Sequence, residues 1–502
     1  MDEPIANFLG SPAGQALLEG GRSTLRRLRQ VAANVRASLA PPDPNHQLGS
    51  DPSTNPKGQH ATQVEPSSAT DGKNTIIAAC QGGRIFDGGC DLINVATTTD
   101  GGKTYVSGVL PGITKEQGGK WDRVSDVNIA YNAKAGMWLA SSLAILEQNG
   151  TAVGAAIIEN RSKDGITWEP ATSIIEAPAG SFFDKNWIAC DNNPGSPHFG
   201  NTYLVFDDNG QQDLVQVMAS SDVGATWSTP QATPDQFHGL GGEPVVQPNG
   251  NVVIPMVDGQ ESSLWSVILT NGGTTVSAAK AISDVQSHKP GGNLRSGPLP
   301  SVAMDANGRV YVVWQDSRFQ NGNANDMVLS MSDDGSTWST PVRIPTGPAA
   351  NNVDRAIPAL AVDSATGGDT AHISLSYYTV TAAGVMQPEA VASVDGGKTF
   401  SNPTVLGPPF PTTSAPDTSQ GRMVGDYAGN TIVGGKAFPV FCAANQPPDG
   451  KGHFDVSMHS PFPGLDLAAM VKGGVTAVQV ARPGLFNQNP VDKLGTIGDL
   501  DF

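Results

Sequence analysis

Charged and polar side chains recur where apolar segments of the sequence begin, and their types suit the binding of an acidic, hydroxyl-rich ligand. They are Glu65, Arg123, Asp126, Asp184, Lys185, Glu243, Arg295, Arg355, Arg422, Asp426 and Tyr427. Arginine can bind a carboxylate through two parallel hydrogen bonds. If the segments converge on one axis, these groups form a pocket for an anionic ligand. If they do not converge, the same charges form salt bridges between neighbouring sheets.

A short repeated motif indicates which elements position these residues. The stretch SSDVGATW at Ser220–Trp227 recurs, with variations, at a spacing of about 60 residues. The copies lie at Thr98–Tyr105, Ser162–Trp168, Ser220–Trp227, Leu269–Val276, Ser332–Trp338 and Ser393–Phe400. The Asp can accept hydrogen bonds from turn amides, the Gly supplies a positive φ, and the Thr and aromatic residue begin the next strand. We therefore expect these Asp residues to stabilise turns rather than to take part in catalysis.

Around each copy of the motif, apolar stretches bounded by turn residues predict a four-stranded antiparallel meander. Pro300–Asp305 and Val310–Asp316 are two such stretches. One meander cannot bury both of its faces, whereas sheets arranged radially around an axis can. The sequence therefore predicts an all-β fold, a β-propeller over residues 61–460, with seven blades or alternatively six. The fourth strand of the last blade could come from Val475–Pro483 or from the segment before Val64.

With these motifs, roughly residues 60–460 resemble the BNR or Asp-box repeat proteins of the sialidase (neuraminidase) superfamily. The resemblance implies an exo-sialidase-like glycoside hydrolase with a Tyr nucleophile, which is a known exception to the two-carboxylate rule. By the order of residues along the chain, it implies Tyr427 as nucleophile, Glu243 as its base and Asp126 as acid. The implied substrate-binding arginines are Arg295, Arg355 and Arg123, with Arg84 as an alternative to Arg123 and Asp87 as an alternative to Asp126. Arg422 joins them as a further predicted substrate-binding residue, because it is one of the charged residues at the starts of apolar segments.

The segments outside the repeats differ in character. Residues 1–40 predict an N-terminal helical segment, because Ser23–Leu39 places Leu25, Leu28 and Leu39 on one helical face. Residues 41–60 predict an extended linker, and residues 461–502 form a C-terminal tail. A helix ahead of a propeller predicts docking onto a protein partner or an oligomer.

The composition excludes some functions. With 30 Lys and Arg against 47 Asp and Glu, the net charge of −17 argues against nucleic acid as a partner. No apolar run is long enough to cross a bilayer, and the acidic start at Met1–Gly21 does not predict a Sec signal peptide. We therefore expect either a cytoplasmic chain or export by a non-Sec route.

The sequence predicts no cofactor, although the loop Asn321–Met327 could hold a structural calcium ion. Cys80 and Cys90 could close a small disulfide loop.

Three functions fit these observations. The first is a sialidase-like propeller that binds an acidic glycan in an arginine-lined axial pocket and hydrolyses a glycosidic bond. The second is a polysaccharide lyase, in which arginine neutralises the sugar carboxylate. The third is a non-catalytic binding or structural propeller within a larger assembly.

Overall fold

The computed structural model describes residues 45–148, 150–348, 352–445 and 454–480. The chain divides into two units, Met1–Pro44 and Asn45–Phe502, and all described residues belong to the second. The predicted helix Ser23–Leu39 lies outside the described residues and stays a prediction. The predicted domain boundaries stay predictions as well.

The described residues are mostly β-strand, and the strands follow one another in antiparallel groups. The first strand is β1 (Asn45–Gln47). Group one contains β2 (Gly58–Thr70), β3 (Ile76–Ile85), β4 (Cys90–Thr98) and β5 (Val106–Val109). Group two contains β6 (Arg123–Asn132), β7 (Met137–Gln148), β8 (Thr151–Ser162) and β9 (Thr172–Glu176). Group three contains β10 (Phe183–Cys190), β11 (Thr202–Asp208), β12 (Leu214–Ser220) and β13 (Gln231–Ala232).

The following groups repeat this antiparallel order. Group four contains β14 (Gly239–Leu240), β15 (Val245–Val246), β16 (Val252–Asp258), β17 (Ser263–Thr270), β18 (Thr275–Val276) and β19 (Lys280–Asp284). Group five contains β20 (Ser301–Met304), β21 (Val310–Asp316), β22 (Asp326–Ser332) and β23 (Val342–Arg343). Group six contains β24 (Asp354–Val362), β25 (Ile373–Val380), β26 (Val385–Ser393), β27 (Thr399–Ser401), β28 (Thr404–Val405) and β29 (Phe410–Pro411).

The last part of the described chain contains a small ribbon, a further group and a helix. The ribbon consists of β30 (Asp417–Thr418) and β31 (Gly421–Arg422). Group seven contains β32 (Gly429–Val433), β33 (Lys436–Ala444), β34 (Val456–Pro461) and β35 (Leu465–Asp466), and is followed by α1 (Leu467–Lys472), β36 (Val475–Ala477) and β37 (Gln479–Val480). Single 3₁₀ turns occur at Lys115–Gln117, Asn209–Gln211, Asn271–Gly273, Arg318–Gln320, Gly368–Thr370 and Thr412–Ser414.

Early strands of the groups contact one another in chain order, from β2 to β6, β10, β15, β20, β24 and β32, and β32 contacts β2 again. At the point of closure, β1 pairs with β34 in antiparallel fashion, and β2 pairs with β34 in parallel at Thr62 and Val456. The outer strand of group seven is therefore supplied by the segment before Val64. In the described part of the other candidate, Val475–Pro483, β36 pairs with β27 and β37 pairs with β23.

The hydrophobic core lies between neighbouring groups. Val205 of group three, for example, belongs to one buried cluster with Ile254 and Trp265 of group four. Apolar side chains of adjacent sheets therefore bury one another, as the four-stranded meanders require.

The repeated motif forms the turns that its residue types predict. In the third copy, the Asp222 carboxylate accepts hydrogen bonds from Thr226 N at 2.8 Å and Thr226 Oγ1 at 2.6 Å, and Ser220 Oγ donates to it at 2.8 Å. The corresponding Asp residues, which bond turn amides in the same way, are Asp100, Asp164, Asp334 and Asp395. These carboxylates are therefore committed to the turns.

Cys80 and Cys90 are both free and buried, so the structure does not contain the disulfide considered above. The strand register gives the reason. Cys90 lies opposite Arg84, four residues further along β3 than Cys80. At about 3.3 Å per residue, this offset exceeds the ~7 Å between Cα atoms that a disulfide can span.

Gly425 allows the first strand of group one to approach the chain ahead of β32. Its φ is 149°, and an added Cβ would lie 2.9 Å from Glu65 Cα and 2.7 Å from Tyr427 O. We expect Gly425→Ala to lower the free energy of unfolding by about 2–4 kcal/mol, because it adds both strain and a backbone clash. The matched control is Gly434→Ala, where φ is 58° but nothing lies within 4 Å; it should cost about 1 kcal/mol. Equal losses in urea titrations of the two variants would contradict this account.

Candidate functional site

A cavity of about 350 Å³ gathers charged side chains from several strand groups. The carboxyl groups that line it belong to Glu65, Asp126, Asp184, Asp213, Glu261 and Asp426. The cationic groups belong to Arg84, Lys185 and Arg295. The cavity therefore holds six carboxyl groups beside three cations.

Local irregularities in three early strands position part of this charge. The register shifts between Val64 and Ser67 in β2, between Ser125 and Asn128 in β6, and between Asp184 and Trp187 in β10. Within these shifts, Glu65, Asp126 and Lys185 have φ values of 54°, 48° and 48°. A β-bulge redirects a side chain at the cost of backbone strain. Here the three redirected residues all line the cavity.

Asp426 links two of the cations. Its carboxylate accepts a bidentate pair of hydrogen bonds from Arg295, Nε at 2.9 Å and Nη2 at 2.5 Å, and a third from Lys185 Nζ at 2.8 Å. Burial alone would raise the pKa of the Asp426 carboxyl, but the charges of Arg295 and Lys185 hold that pKa well below its usual range. Asp426 therefore stays ionised and fixes both cations at the cavity wall.

Glu65 is 1% exposed and lies against this ion network. Its carboxyl accepts hydrogen bonds from Gln81 Nε2 and from the backbone N of Asp426, the latter at 3.3 Å. Burial, together with the negative charges of Asp426 and Asp126, raises the pKa of Glu65 to about 8. Glu65 therefore carries a proton at neutral pH.

Asp126 and Asp184 form a carboxyl pair in the same cavity. Burial raises the pKa of Asp184 to about 7; Lys185 opposes this rise, while the charge of Asp126 and a hydrogen bond with it add to it. Asp207, 3% exposed, lies directly opposite Asp184 across the strand pair β10–β11. A carboxyl group that titrates near neutrality can donate a proton at neutral pH.

Beside polar side chains such as Gln420, part of the cavity wall is apolar. It is formed by Leu143, Ile145, Ala152, Val153, Phe182 and Leu299. Gly154, which also lines the cavity, packs against the Phe182 ring so closely that an added Cβ would lie 2.7 Å from it. The cavity therefore presents charged groups and an apolar surface to the same ligand.

The structure brings together some of the sequence-predicted site residues. Asp126 and Arg295 line the large cavity. Tyr427, Glu243 and Asp126 line an adjoining cavity of about 20 Å³, which shares Asp126, Lys185 and Leu299 with the large one. The implied catalytic residues are thus neighbours, and their roles stay predictions.

The other three predicted arginines bind carboxylates elsewhere. Arg123 pairs with Asp87 at 2.6 Å and with Glu147 at 2.9 Å. Arg355 lies 3.7 Å from Asp326 and donates to the carbonyls of Thr346 and Val353. Arg422 lies 3.7 Å from Asp417. Asp87, the alternative acid, is committed to the pair with Arg123.

Tyr427 and Glu243 each have a partner of their own. The Tyr427 hydroxyl donates to the carbonyl of Val127 at 3.3 Å, and burial raises the pKa of Tyr427 well above its usual value. A Glu243 carboxylate oxygen accepts a hydrogen bond from Val302 N at 2.7 Å, and burial raises the pKa of Glu243 to about 8. At neutral pH the tyrosine keeps its proton and the glutamate is largely neutral.

Sequence reasoning missed Asp213, Glu261 and Phe182 as cavity residues. Glu261 lies in the turn between β16 and β17, and burial followed by the charge of Asp426 raises its pKa. Turn residues such as these carry no periodicity that would distinguish a cavity wall from open surface. Arg84, considered only as an alternative to Arg123, also lines the cavity.

The pH dependence of stability tests whether burial raises the pKa of Glu243. The pKa of Glu243 is about 8 in the folded chain, against a usual 4.5. Its contribution to the stability of the fold is therefore fully present below pH ~4.5 and is lost as the pH rises through about 8. We expect Glu243→Gln to flatten the fall in stability over this range, by up to about 1.4 kcal/mol per pH unit. Urea titrations at several pH values would measure this change, with exposed Glu169→Gln as the control. An unchanged slope in the Glu243 variant would contradict the assignment.

The part of the chain that the structure describes contains no group of three or more His, Cys, Asp or Glu side chains placed to hold a metal ion. In the loop considered for calcium, Asp326 instead accepts a hydrogen bond from Arg343 Nε at 2.8 Å. None of the described helices is long and apolar enough to cross a membrane.

No protein-family model and no curated protein sequence match the chain. Solved structures do match. A polysaccharide lyase described as an ulvan lyase has a TM-score of 0.48 at 12% identity, over 82% of this chain and 95% of that chain. The intramolecular trans-sialidase from Ruminococcus gnavus has a TM-score of 0.41 at 14% identity, over 84% and 99%.

A third match is the α-L-arabinanase of Penicillium chrysogenum, with a TM-score of 0.43 at 13% identity, over 85% of this chain and 98% of that chain. The matched sialidases, arabinanases and lyases have β-propeller, glycosidase-like folds. At these identities and TM-scores, the likeness assigns no activity and no residue role.

Proposed function

We propose that the chain is a carbohydrate-active β-propeller that binds an acidic sugar in the charged cavity and hydrolyses its glycosidic bond. One observation carries the proposal. The cavity of about 350 Å³ combines Lys185 and Arg295 with Asp184, whose pKa of about 7 lets it carry a proton at neutral pH. A cationic wall next to a proton donor is what cleavage of an acidic glycoside requires.

The cavity also suits a sugar in size and in the character of its walls. Its volume lies within the ~300–1,000 Å³ of small-molecule sites. Arg84, Lys185 and Arg295 would bind the sugar carboxylate, and the carboxyl groups would accept hydrogen bonds from hydroxyl groups. The apolar face of the sugar ring would pack against Phe182 and Leu299.

In the proposed reaction, the Asp184 carboxyl gives its proton to the glycosidic oxygen as the bond to the anomeric carbon breaks. A water molecule attacks the anomeric carbon, and the Glu261 carboxylate accepts the proton that this water loses. Asp126 keeps the donor proton on Asp184, because its negative charge and its hydrogen bond raise the pKa of that group. One water is consumed, and two hydroxyl groups are formed.

A second candidate is the retaining route that the resemblance implies, with Tyr427 as nucleophile, Glu243 as its base and Asp126 as acid. The small cavity that these residues share favours it. Two observations favour direct attack by water instead. Tyr427 donates to the Val127 carbonyl rather than to Glu243, and Glu243 is largely neutral at neutral pH.

We further propose that the seven strand groups are seven blades, closed by β1 on β34. The circuit of strand contacts from β2 to β32 and back to β2 supports this arrangement.

A panel of fluorogenic glycosides tests the function. Purified protein is incubated with a sialoside, a glucuronide, a galacturonide and a neutral glucoside, beside Tyr427→Phe and the control Tyr131→Phe. Turnover of an acidic glycoside that survives Tyr427→Phe supports attack by water, and its loss in that variant alone supports the tyrosine route. An unsaturated product that absorbs ultraviolet light would indicate a lyase. Binding of acidic sugars without turnover would leave the non-catalytic role, and cleavage of the glucoside alone would contradict the proposal.

A further inference from the structure

Phe86 is an exposed aromatic residue beside the charged cavity. It is 52% exposed, and among the described residues the only other exposed aromatic side chain is Phe462 at 44%. Phe86 lies in the turn between β3 and β4. Two residues before it Arg84 lines the cavity, and two residues after it Gly88 does so as well. The turn that carries Phe86 therefore joins two residues of the cavity wall.

The turn that carries Phe86 is held from one side by Arg123. This guanidinium donates to the Asp87 carboxylate at 2.6 Å and to the Gly88 carbonyl at 2.8 Å, and its Nε donates to Glu147 at 2.9 Å. Arg123 is 4% exposed, so a buried guanidinium makes these bonds, and the two to carboxylates are charge-assisted. The arginine that the resemblance implies as a substrate ligand therefore positions the turn.

A second segment holds the turn from the other side. The backbone N of Ser419 donates to the Phe86 carbonyl at 3.0 Å, and the next residue, Gln420, lines the cavity. The backbone around Phe86 is thus fixed at both ends while its ring remains in water. A backbone that is already fixed loses little conformational entropy when a ligand packs on its side chain.

We propose that Phe86 is a stacking platform for the sugar unit that follows the one bound in the cavity. This inference rests on the proposed function and adds that the substrate is an oligosaccharide, bound by at least two units. The C–H face of a pyranose ring matches a single exposed aromatic ring in size and polarity. The amide of Gln420, which lines the cavity, and the carboxylate of Asp87, which follows Phe86 in the chain, can bond to the hydroxyl groups of that unit.

Binding measurements on the intact protein test this inference. The probes are N-acetylneuraminic acid with 3′-sialyllactose, and glucuronic acid with a hyaluronan tetrasaccharide. Calorimetric titrations compare the unaltered chain with Phe86→Ala, Phe86→Trp and the control Phe462→Ala. We expect Phe86→Ala to weaken the oligosaccharide about tenfold and the matching monosaccharide less than twofold. Phe86→Trp and Phe462→Ala should bind both forms as the unaltered chain does.

The outcomes distinguish a failure of this inference from a failure of the proposed function. If Phe86→Ala binds the oligosaccharide as tightly as the unaltered chain, or weakens both forms equally, the platform is refuted and the proposed function stands. If the unaltered chain binds no acidic sugar of either length, the proposed function fails and the platform fails with it. Circular dichroism of each variant shows whether the fold is intact.

Discussion

Asp184→Asn is expected to lower the rate of glycoside cleavage by roughly 10²–10⁴-fold. The side chain lines the cavity, and its pKa of about 7 lets it carry a proton at neutral pH. An asparagine amide occupies the same space and still forms hydrogen bonds, but it has no acidic proton for the leaving group. The variant should therefore bind the substrate and fail to cleave it, which appears as a fall in kcat with little change in KM.

The matched control for this variant is Asp369→Asn. Asp369 is 74% exposed on its side chain and pairs only with the surface residue Lys398. Its replacement should leave kcat and KM unchanged. If both variants keep full activity, Asp184 is not the acid and the proposed mechanism is wrong.

The same assignment predicts a pH dependence. Activity should fall by about tenfold per pH unit above pH ~7, because Asp184 then loses its proton in the folded protein. It should also fall at low pH, where Glu261 becomes protonated and cannot accept a proton from water. Initial rates across the pH range measure both limbs, and a rate that continues to rise above pH ~8 would contradict Asp184 as the donor.

Asp426→Asn is expected to lower the free energy of unfolding by roughly 3–5 kcal/mol. Asp426 is 8% exposed, and its ion-pair partners Arg295 and Lys185 have side chains that are only 15% and 13% exposed. A neutral amide would remove the closest counter-charge of two largely buried cations, and leave Lys185 with Asp126 at 4.0 Å. Because these three residues come from distant parts of the chain, the loss should appear as a lower midpoint of global unfolding.

Asp333→Asn provides the comparison. Asp333 also pairs with an arginine, Arg309, but its side chain is 74% exposed. Exposed pairs contribute about 0–1 kcal/mol, so this variant should unfold as the unaltered chain does. Equal destabilisation by the two variants would show that burial does not set the strength of the Asp426 network.

Much of the strand pattern and part of the site follow from the sequence. The repeated motif fixed where turns fall, and Asp222 bonds Thr226 as its residue type predicts. Asp126, Asp184 and Asp426 were expected at the starts of strands and do line the cavity. These positions follow from local signals, because turn chemistry and apolar runs can be read within a few residues.

The remaining features of the site depend on contacts between residues that are far apart in the sequence. Arg295 and Arg355 look alike as arginines near strand starts, yet Arg295 lines the cavity and Arg355 is 2% exposed beside Asp326. Which carboxylate each one meets is decided by a neighbouring group of strands. The closing strand β1 has the sequence Asn-His-Gln, without the alternation by which strands are recognised.

The β-bulges could not be predicted from the sequence for a related reason. Asp126 lies within a stretch, Arg123–Asn132, that reads as an ordinary strand, and nothing in its neighbours indicates a φ of 48°. Left-handed conformations of this kind are stabilised by the surrounding structure rather than by local preference.

The crystal structure of Asp184→Asn, soaked with the acidic glycoside that the panel identifies, tests the central claim most directly. The account predicts a sugar ring in the cavity with its carboxylate on Lys185 and Arg295, and its glycosidic oxygen within about 2.6–3.2 Å of the residue at position 184. A sugar bound outside this cavity, or bound in it with the glycosidic oxygen away from that position, would contradict the account.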